Sequence, residues 1–415
     1  MDNNYKYSVT ERLLQYVQID TQSDSSSTTH PSTAKQKNLS TLLAQQLLDL
    51  GLADAHADEY GYVYATIPAT STKQIPTICF CSHVDTTSDC SGTNVLPILH
   101  HNYDGTPIVL PHDTTQVLST SKYPYLLNHI GNTIITASGT TLLGADDKAG
   151  VAIIMDMVQY LTTHLEVQHG TIKILFTPDE EIGKGTAKIN MEKLQADYGY
   201  TLDGGAAGSL EDETFSANAA ILTIQGVSAH PGDAKGKMAN ALKIASDIIQ
   251  AIPINLSPEG TSHKQGFIHP LHIEGIAEKA TIQFIIRDFD TTQLAVKETW
   301  IRHTTEQVIT KYVGATYTLE VVEQYSNMKD VLKDCYHVVN YAKEAIERTG
   351  LTVIMDSIRG GTDGSKLSYI GLPCPNIYTG MQNIHSKLEW VGVKDMQLAV
   401  STLVHLVMIW EEHGE

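Results

Sequence analysis

The sequence predicts an α/β protein: a larger domain with a mixed, largely parallel central sheet flanked by helices, and an inserted ferredoxin-like α+β domain. Two runs typical of buried strands, residues 75–81 and 171–176, enclose a helix-like stretch at 148–161. Strands that alternate with helices are typical of a parallel sheet. A change of pattern near residue 212, followed by the order βαββαβ, indicates a second domain of the ferredoxin-like kind. The length of 415 residues suits two or three domains.

The larger domain is predicted in two parts, residues 1–211 and 324–415, separated by the inserted domain at 212–323. Its first part should begin with helices at 8–20 and 34–51, the second of which ends at a Leu-Gly pair. Glycine directly after a helix is a common stop, because it adopts the left-handed conformation without strain. These boundaries therefore define a two-part domain interrupted by one insertion.

Three further stretches complete the larger domain. Residues 23–31 are polar and should form a loop. Residues 88–142 are rich in Thr, Pro, Gly and Asn with short β-like runs, which indicates an irregular β-rich insertion. After residue 323 the α/β pattern resumes, with strands expected at 352–355 and 376–378 and a closing helix at 394–412.

The inserted domain is predicted from alternating strand-like and helix-like runs. Strands are expected at 220–225, 271–273, 281–286 and 316–322, with a helix at 294–312. Another helix should follow the first strand, since apolar residues recur there at helical spacing: Met238, Ala241, Leu242, Ala245, Ile248, Ile249 and Ile252.

The composition excludes several classes of partner. A formal charge of −19 argues against nucleic acid, whose phosphates require clustered Lys and Arg. Five cysteines, an odd number without repeated spacing, predict no disulfide framework and a reducing compartment. With no signal-like segment at the start and no apolar run long enough to span a bilayer, the expectation is a cytoplasmic protein that binds neither nucleic acid nor membrane.

Acids and histidines recur where strands end and helices begin. In His83-Val84-Asp85 the two polar side chains share one strand face, which suits a metal ligand and its orienting carboxylate. A simple hydrogen-bonded pair is the alternative. Asp146 and Asp147 stand at a predicted helix start, where one carboxylate could bridge two cations or could merely cap the helix.

The other acids and the second histidine extend this pattern. Asp179-Glu180-Glu181 follows a buried strand, Asp203 precedes two glycines, and His385 follows a third strand-like run. The carboxyl ends of strands in an α/β sheet are where ligand sites usually form. Mixed imidazole and carboxylate ligands suit zinc, with manganese or cobalt also accepted. Histidines in other polar segments are expected to face solvent: His100, His101, His112, His129 and His263.

Taken together, these motifs resemble the aminotripeptidase (peptidase T) branch of a large two-zinc family that includes carboxypeptidases, dipeptidases and amino-acid deacylases. The resemblance covers nearly the whole chain and is carried by motifs in the family's order: Ser82-His83-Val84-Asp85-Thr86, Gly144-Ala145-Asp146-Asp147-Lys148-Ala149-Gly150, Thr177-Pro178-Asp179-Glu180-Glu181-Ile182-Gly183, Leu202-Asp203-Gly204-Gly205 and Ile384-His385-Ser386. The β-rich insertion resembles the aminotripeptidase branch in particular.

The resemblance implies a binuclear metal site with two Zn²⁺ per chain, for which Mn²⁺ or Co²⁺ could substitute. Asp146 would bridge the two ions. His83 and Asp203 would complete one site, while Glu181 and His385 would complete the other. The resemblance also implies a cis peptide bond between Asp146 and the residue after it.

The same resemblance implies the roles of the remaining residues. Asp85 would orient His83, and Glu180 would be the general base that activates water. His230, in the inserted lid or dimerisation domain, would donate a hydrogen bond to the oxyanion after domain closure. The alternative for His230 is a capping residue of its own loop.

Two arginines are predicted to bind the C-terminal carboxylate of a peptide substrate, since guanidinium groups bind carboxylates in a bidentate manner. Arg287 and Arg359 are the candidates, although Arg287 could instead form an ion pair with Asp288 or Asp290. The implied reaction is removal of the N-terminal residue from short peptides with a free N-terminus, above all tripeptides. A dipeptidase, a carboxypeptidase, an N-acyl-amino-acid deacylase and a non-catalytic binding protein remain alternatives, and a homodimer stays open.

Overall fold

The computed structural model describes residues 4–415, which divide into two compact units. Unit 1 comprises the chain up to Asp212, Asp330–Asp356 and Thr362–Glu415. Unit 2 comprises Glu213–Lys329 and the short return Ser357–Gly361. The sequence pattern did not anticipate that this return, which contains Arg359, groups with unit 2.

Residues 4–415 contain ten α-helices: α1 Val9–Tyr16, α2 Gln36–Asp49, α3 Ala145–Thr163, α4 Met191–Leu194, α5 Ala241–Gln250, α6 Thr291–Ile309, α7 Lys329–Leu332, α8 His337–Arg348, α9 Asp363–Tyr369 and α10 Val393–Glu412. The same residues form eighteen strands: β1 His56–Ala57, β2 Val63–Ile67, β3 Ile78–His83, β4 Ile98–His100, β5 Ile108–Val109, β6 Val117–Leu118, β7 Ile134–Thr136, β8 Ile172–Thr177, β9 Tyr198–Gly204, β10 Ser209–Thr214, β11 Ser216–Gln225, β12 Phe267–Gly275, β13 Lys279–Asp288, β14 Thr316–Tyr325, β15 Ile354–Ile358, β16 Asn376–Tyr378, β17 Met381–Gln382 and β18 Trp390–Gly392.

The central sheet is mixed, as the sequence predicts. Its strand order is β1-β2-β8-β3-β9-β16-β10-β15. The middle strands β8, β3, β9 and β16 are parallel to one another, whereas β2 and β10 pair antiparallel with their inner neighbours. All six residues of β3 are buried, because helix α3 packs on β3 and β9 and parallel sheets are covered on both faces.

The predicted β-rich insertion forms small sheets in unit 1. Strands β4 and β7 join β17 and β18 in a four-stranded sheet, and β5 pairs with β6. His129 ends the 3₁₀ helix Pro124–His129 of this region.

Two of the five histidines expected to face solvent are not exposed. His129 is only 1% exposed and its Nε2 atom lies 3.3 Å from Asp395 Oδ2, so that expectation was wrong. His100 is half-buried, while His101, His112 and His263 are exposed as predicted. His129 is buried because it contacts Asp395 in the first turn of α10. The polar sequence around His129 gives no sign of this long-range contact.

Unit 2 has the predicted βαββαβ order. Its antiparallel sheet runs β12-β13-β11-β14, the strand order of a ferredoxin-like fold. In α5 the buried residues are Ala241, Ile244, Ala245 and Ile248, a single helical stripe. The predicted stripe was wrong at Leu242, which is 40% exposed.

Helix α10 is long and apolar enough to cross a membrane, but 67% of its most apolar stretch is buried inside the protein. It packs against α3 and α8 in unit 1. Burial of this kind is typical of a core helix of a globular domain.

Candidate active site

Three neighbouring parallel strands end at one edge of the central sheet and deliver the predicted site residues. His83 is the last residue of β3, and Asp203 lies near the end of β9. Glu180 and Glu181 follow the end of β8, which pairs with β3 on its other side. Because parallel strands place their carboxyl ends together, side chains from distant parts of the sequence converge here. Asp146, in the first turn of α3, joins them.

The two carboxylate oxygens of Asp146 face two different histidines. Its Oδ1 atom lies 3.0 Å from His83 Nε2, and its Oδ2 atom lies 3.2 Å from His385 Nε2. Asp203 Oδ1 is 3.8 Å from the same nitrogen of His83, and Glu181 Oε2 is 2.9 Å from the same nitrogen of His385. The five side chains therefore form two sets that share Asp146.

These side chains are suited to holding metal ions. Candidate ligand atoms of His83, Asp146 and Glu181 lie within 4.8 Å of one another, as do those of His83, Asp147 and Asp203. Among the described residues, the buried Oε1 atom of Glu181 has no hydrogen-bond partner. Buried polar atoms normally have partners, so this oxygen is available to a ligand. Nitrogen and oxygen donors in this mixture fit zinc, manganese or cobalt.

Asp147 has a structural contact that neither the bridging nor the capping alternative predicted. It is fully buried, and its Oδ2 atom accepts hydrogen bonds from Ser82 Oγ and, at 3.1 Å, from the backbone N–H of His83. The Asp146–Asp147 peptide bond is cis, as the resemblance implies. Asp147 thus fixes the end of β3 beside the ligand that this strand carries.

Several acids lie buried close together in this cluster, and their burial and mutual repulsion shift their pKa values. Burial and the charge of Asp146 raise the pKa of Glu181 to about 7. Burial and the charge of Asp147 raise the pKa of Asp203 well above its ordinary value. Burial alone would raise the pKa of Asp146, but hydrogen bonds from His385 and His83 lower it.

The neighbouring acids raise the pKa values of the two histidines. Burial alone would lower the pKa of His83, but hydrogen bonds to Asp146 and Asp85 raise it well above its ordinary value. Hydrogen bonds to Asp146 and Glu181 raise the pKa of His385 to about 11. Protons therefore balance the charge of these acids, and a bound cation would replace them.

The family of this chain follows from its sequence. The profile described as Peptidase family M20/M25/M40 matches residues 128–409. The chain belongs to this family. A protein named Peptidase T from Desulfitobacterium hafniense (strain Y51) is 46% identical over 98% of this chain and 99% of its own length. Another Peptidase T, from Bacillus subtilis (strain 168), is 44% identical over 98% of this chain and 99% of its own length.

Solved structures of M20-type proteins share the fold. The aminopeptidase PepT from Bacillus cereus ATCC 10987 superposes with a TM-score of 0.75 at 24% identity, covering 97% of this chain and 98% of its own. A dinuclear metal-binding peptidase of family M20 from Bacillus subtilis has a TM-score of 0.65 at 13% identity, covering 97% of each chain. The central sheet and the βαββαβ unit are therefore those of the M20 fold.

Asp85 of this M20 chain makes more contacts than its predicted role required. It is fully buried, and its Oδ1 atom lies 3.4 Å from His83 Nδ1. The backbone N–H groups of Glu180 and Glu181 donate to its two oxygens at 2.9 and 3.2 Å. Asp85 therefore links His83 to the turn that carries both glutamates.

Asp179 anchors the same turn from the other side, which sequence reasoning missed. It is fully buried with a φ of 60°. Its carboxylate accepts from Ser32 N at 2.6 Å, Ser32 Oγ at 2.5 Å and Gln36 Nε2 at 2.6 Å. A buried acid must have partners, but nothing in the sequence indicates that they come from Ser32, just before α2, and from Gln36, its first residue.

Asp89 is a second acid that the motifs did not reveal. Its Oδ2 atom lies 3.3 Å from Nδ1 of His385, just as Asp85 faces Nδ1 of His83. The side chain of Asp89 is 69% exposed and that of His385 is 36% exposed. The His385 side of the site is thus the more open one, and the family motifs contain no signal for this contact.

Of the predicted substrate-binding residues, all of which lie in unit 2, His230 and Arg359 already have local partners. The backbone N–H of Gly232 donates to His230 Nδ1 at 3.1 Å, the capping contact that was the alternative for this histidine. Arg359 Nη1 donates to the carbonyl of His263 at 2.6 Å, and its guanidinium lies 5.1 Å from the ring of Phe215. These contacts hold both side chains in place within their unit.

Arg287 is held by neutral partners. Its Nη2 donates to Gln324 Oε1 at 2.9 Å, and its guanidinium lies 5.3 Å from the ring of Tyr325. Burial lowers the pKa of Arg287. Asp288, one of the acids considered as its ion-pair partner, instead accepts from Lys297 Nζ at 2.5 Å.

Proposed function

We propose that this protein is a metallo-aminopeptidase that removes the N-terminal residue from tripeptides. The observation that carries the proposal is the position of Asp146, whose two oxygens face His83 at 3.0 Å and His385 at 3.2 Å. A carboxylate placed between two imidazoles suits a bridging ligand of two metal ions. Support for peptide hydrolysis comes from family membership, and support for tripeptides comes from relatives named Peptidase T at 46% and 44% identity.

In this proposal Asp146 would be shared by two Zn²⁺, with Mn²⁺ or Co²⁺ as substitutes. His83 and Asp203 would complete one site, and Glu181 and His385 would complete the other. When bound, the two ions supply Lewis acidity for the peptide carbonyl and lower the pKa of water. These acids and histidines would hold the ions at the carboxyl edge of the central sheet.

Glu180 is the proposed general base. It precedes Glu181, and adjacent side chains point in different directions, which leaves its carboxylate free of the proposed ligand set. Burial raises the pKa of Glu180 well above its ordinary value, which favours holding a proton between two steps. Glu180 accepts a proton from water and later donates it to the amine of the leaving peptide. Asp85 keeps Glu180 in position through the backbone contact of 2.9 Å.

The substrate-binding residues stay those predicted from the family. His230 is proposed to donate a hydrogen bond to the oxyanion, and Arg287 and Arg359 to bind the C-terminal carboxylate of the peptide. The partners we propose are short peptides with a free N-terminus in the cytoplasm.

The test compares four substrates with and without added zinc. These are Ala-Ala-Ala, Ala-Ala, the N-acetylated tripeptide and the tripeptide amide. We expect zinc-dependent cleavage of the free tripeptide, with release of free alanine and the dipeptide. Equal or faster cleavage of Ala-Ala would reassign the protein as a dipeptidase. Cleavage of the N-acetylated peptide would indicate a carboxypeptidase or deacylase, and no hydrolysis of any peptide would overturn the proposal.

A further inference from the structure

A buried carboxylate, Glu389, lies directly behind the proposed metal site. It follows His385 by four residues and is 1% exposed. Its Oε2 atom accepts the backbone N–H groups of Leu143 and Gly144, both at 2.8 Å, and its Oε1 atom accepts that of Asp146 at 2.9 Å. No role for this residue follows from the motifs or from the proposed chemistry.

The three N–H groups belong to the turn that leads into α3. Leu143 and Gly144 precede the helix, and Asp146 is its second residue, with a non-helical ψ of 103°. Gly144 is the N-cap residue, with a φ of 82° and no side-chain capping bond. Glycine adopts this left-handed conformation without strain but has no side chain with which to cap the helix. Glu389 supplies acceptors for this turn from a distant part of the sequence, which satisfies three backbone N–H groups.

The position of Glu389 connects two of the proposed ligands. On one side it holds the backbone nitrogen of Asp146, and on the other its own chain segment carries His385. The side chains of these two residues meet at 3.2 Å, Nε2 to Oδ2. Ligand distances in a metal site must be correct to within about 0.2 Å, so a contact that joins both segments controls this separation directly.

We infer that Glu389 is a positioning residue that sets the separation of Asp146 and His385 and thereby the affinity for the ion held by Glu181 and His385. This inference rests on the proposed two-metal function. A cap with no effect on the ligands would stabilise α3 alone. A positioning residue would also change metal affinity on the His385 side, and this difference can be measured without any substrate.

The experiment titrates metal-free protein with zinc against a chelating dye and measures the zinc content after dialysis. In E389Q an amide NH₂ replaces one acceptor oxygen and confronts a backbone N–H donor. We expect the ion on the His385 side, identified as the one that H385A loses, to bind about 10- to 100-fold less tightly, the usual range for groups that support ligands. The other ion should be retained.

D156N is the matched control. Asp156 is also a fully buried acid on α3, and it accepts the backbone N–H groups of Ser8 at 3.0 Å and Val9 at 2.9 Å. D156N should lower the melting temperature and leave both zinc affinities as in the wild type. An equal loss of zinc affinity in D156N would show that general destabilisation explains the effect, and would overturn the inference.

The outcomes separate this inference from the proposed function. Wild-type protein that binds fewer than two zinc ions would contradict the two-metal proposal itself. Wild-type protein with two ions, alongside E389Q with two ions at unchanged affinities, would overturn only the role of Glu389. Should E389Q not fold, E389D is used, since it retains both acceptor oxygens on a shorter side chain. The same selective loss is expected there, and unchanged affinity in E389D would contradict the inference.

Discussion

The Oδ1 atom of Asp85 accepts the backbone N–H group of Glu180 at 2.9 Å. The same oxygen lies 3.4 Å from Nδ1 of His83, and the second oxygen of Asp85 accepts the backbone N–H of Glu181 at 3.2 Å. One buried acid therefore sets the position of a proposed ligand on β3, a proposed ligand after β8 and the proposed base between them. Metal binding and proton transfer should both depend on this carboxylate.

D85N is expected to weaken zinc binding and to lower kcat, each by about 10- to 100-fold. The amide NH₂ would face either the N–H of Glu181 alone or both the N–H of Glu180 and Nδ1 of His83, so at least one of the three contacts must break. Zinc titration and steady-state kinetics measure the two effects. D89N is the comparison, because Asp89 faces His385 from a largely exposed position and should matter less. A D85N protein with wild-type zinc affinity and kcat would contradict the linking role.

E180Q should bind zinc as the wild type does and lose about 100- to 10,000-fold in kcat, the usual contribution of a general base. The amide keeps the shape of the side chain but cannot accept a proton from water. Zinc content and kcat measured on the same preparation separate binding from catalysis. The exposed Glu192 supplies the control variant E192Q, for which no change is expected. Substantial turnover in E180Q would remove Glu180 as the base.

H385A should lower the zinc content from two ions to one, because the Glu181 side of the site would keep too few protein ligands for tight binding. Elemental analysis after dialysis measures the content. H112A, which removes an exposed histidine, controls for the loss of an imidazole as such. Retention of both ions in H385A would contradict the ligand assignment.

Zinc affinity should rise with pH. In the metal-free protein the pKa of Glu181 is raised to about 7 and that of His385 to about 11, so near neutrality His385 holds a proton and Glu181 is partly protonated. Zinc requires their unprotonated forms, and binding must therefore release protons. Calorimetric titrations in buffers of different ionisation enthalpy count the released protons. Equal affinity at about pH 6 and pH 8, with no dependence on the buffer, would refute this linkage.

S32A should destabilise the folded protein by about 1–3 kcal/mol, because it removes a hydrogen bond to a buried carboxylate. Ser32 Oγ donates to Asp179 Oδ1 at 2.5 Å. Urea unfolding measures the free energy of unfolding. In S26A an exposed hydroxyl–carboxylate bond to Asp24 is lost from the same loop, and its cost should stay below about 0.5 kcal/mol. Equal costs for the two variants would show that burial of Asp179 is unimportant.

Strand β10 shows where local pattern failed to predict the fold. Its sequence, Ser-Leu-Glu-Asp-Glu-Thr, lacks the apolar run or alternation that indicates a strand, yet all six residues are buried. Within unit 1, Asp212 accepts from the hydroxyl of Tyr336 at 3.0 Å, and within unit 2, Glu213 forms a salt bridge with Lys329 at 3.2 Å. Partners more than a hundred residues away offset the cost of burying these acids. The sequence of the strand gives no indication of them.

By itself the sequence determined the two-part α/β architecture, the ferredoxin-like insertion and the residue types of the candidate site. These follow from short-range patterns: the spacing of apolar side chains and the acids and histidines that follow strands. Only the tertiary structure decided that the two oxygens of Asp146 face different histidines and that Asp179 accepts hydrogen bonds from Ser32. It also decided that Glu389 accepts the N–H groups of the turn leading into α3. Each of these contacts joins segments far apart in the chain. Their distances depend on how the whole sheet packs, and local spacing carries no information about that.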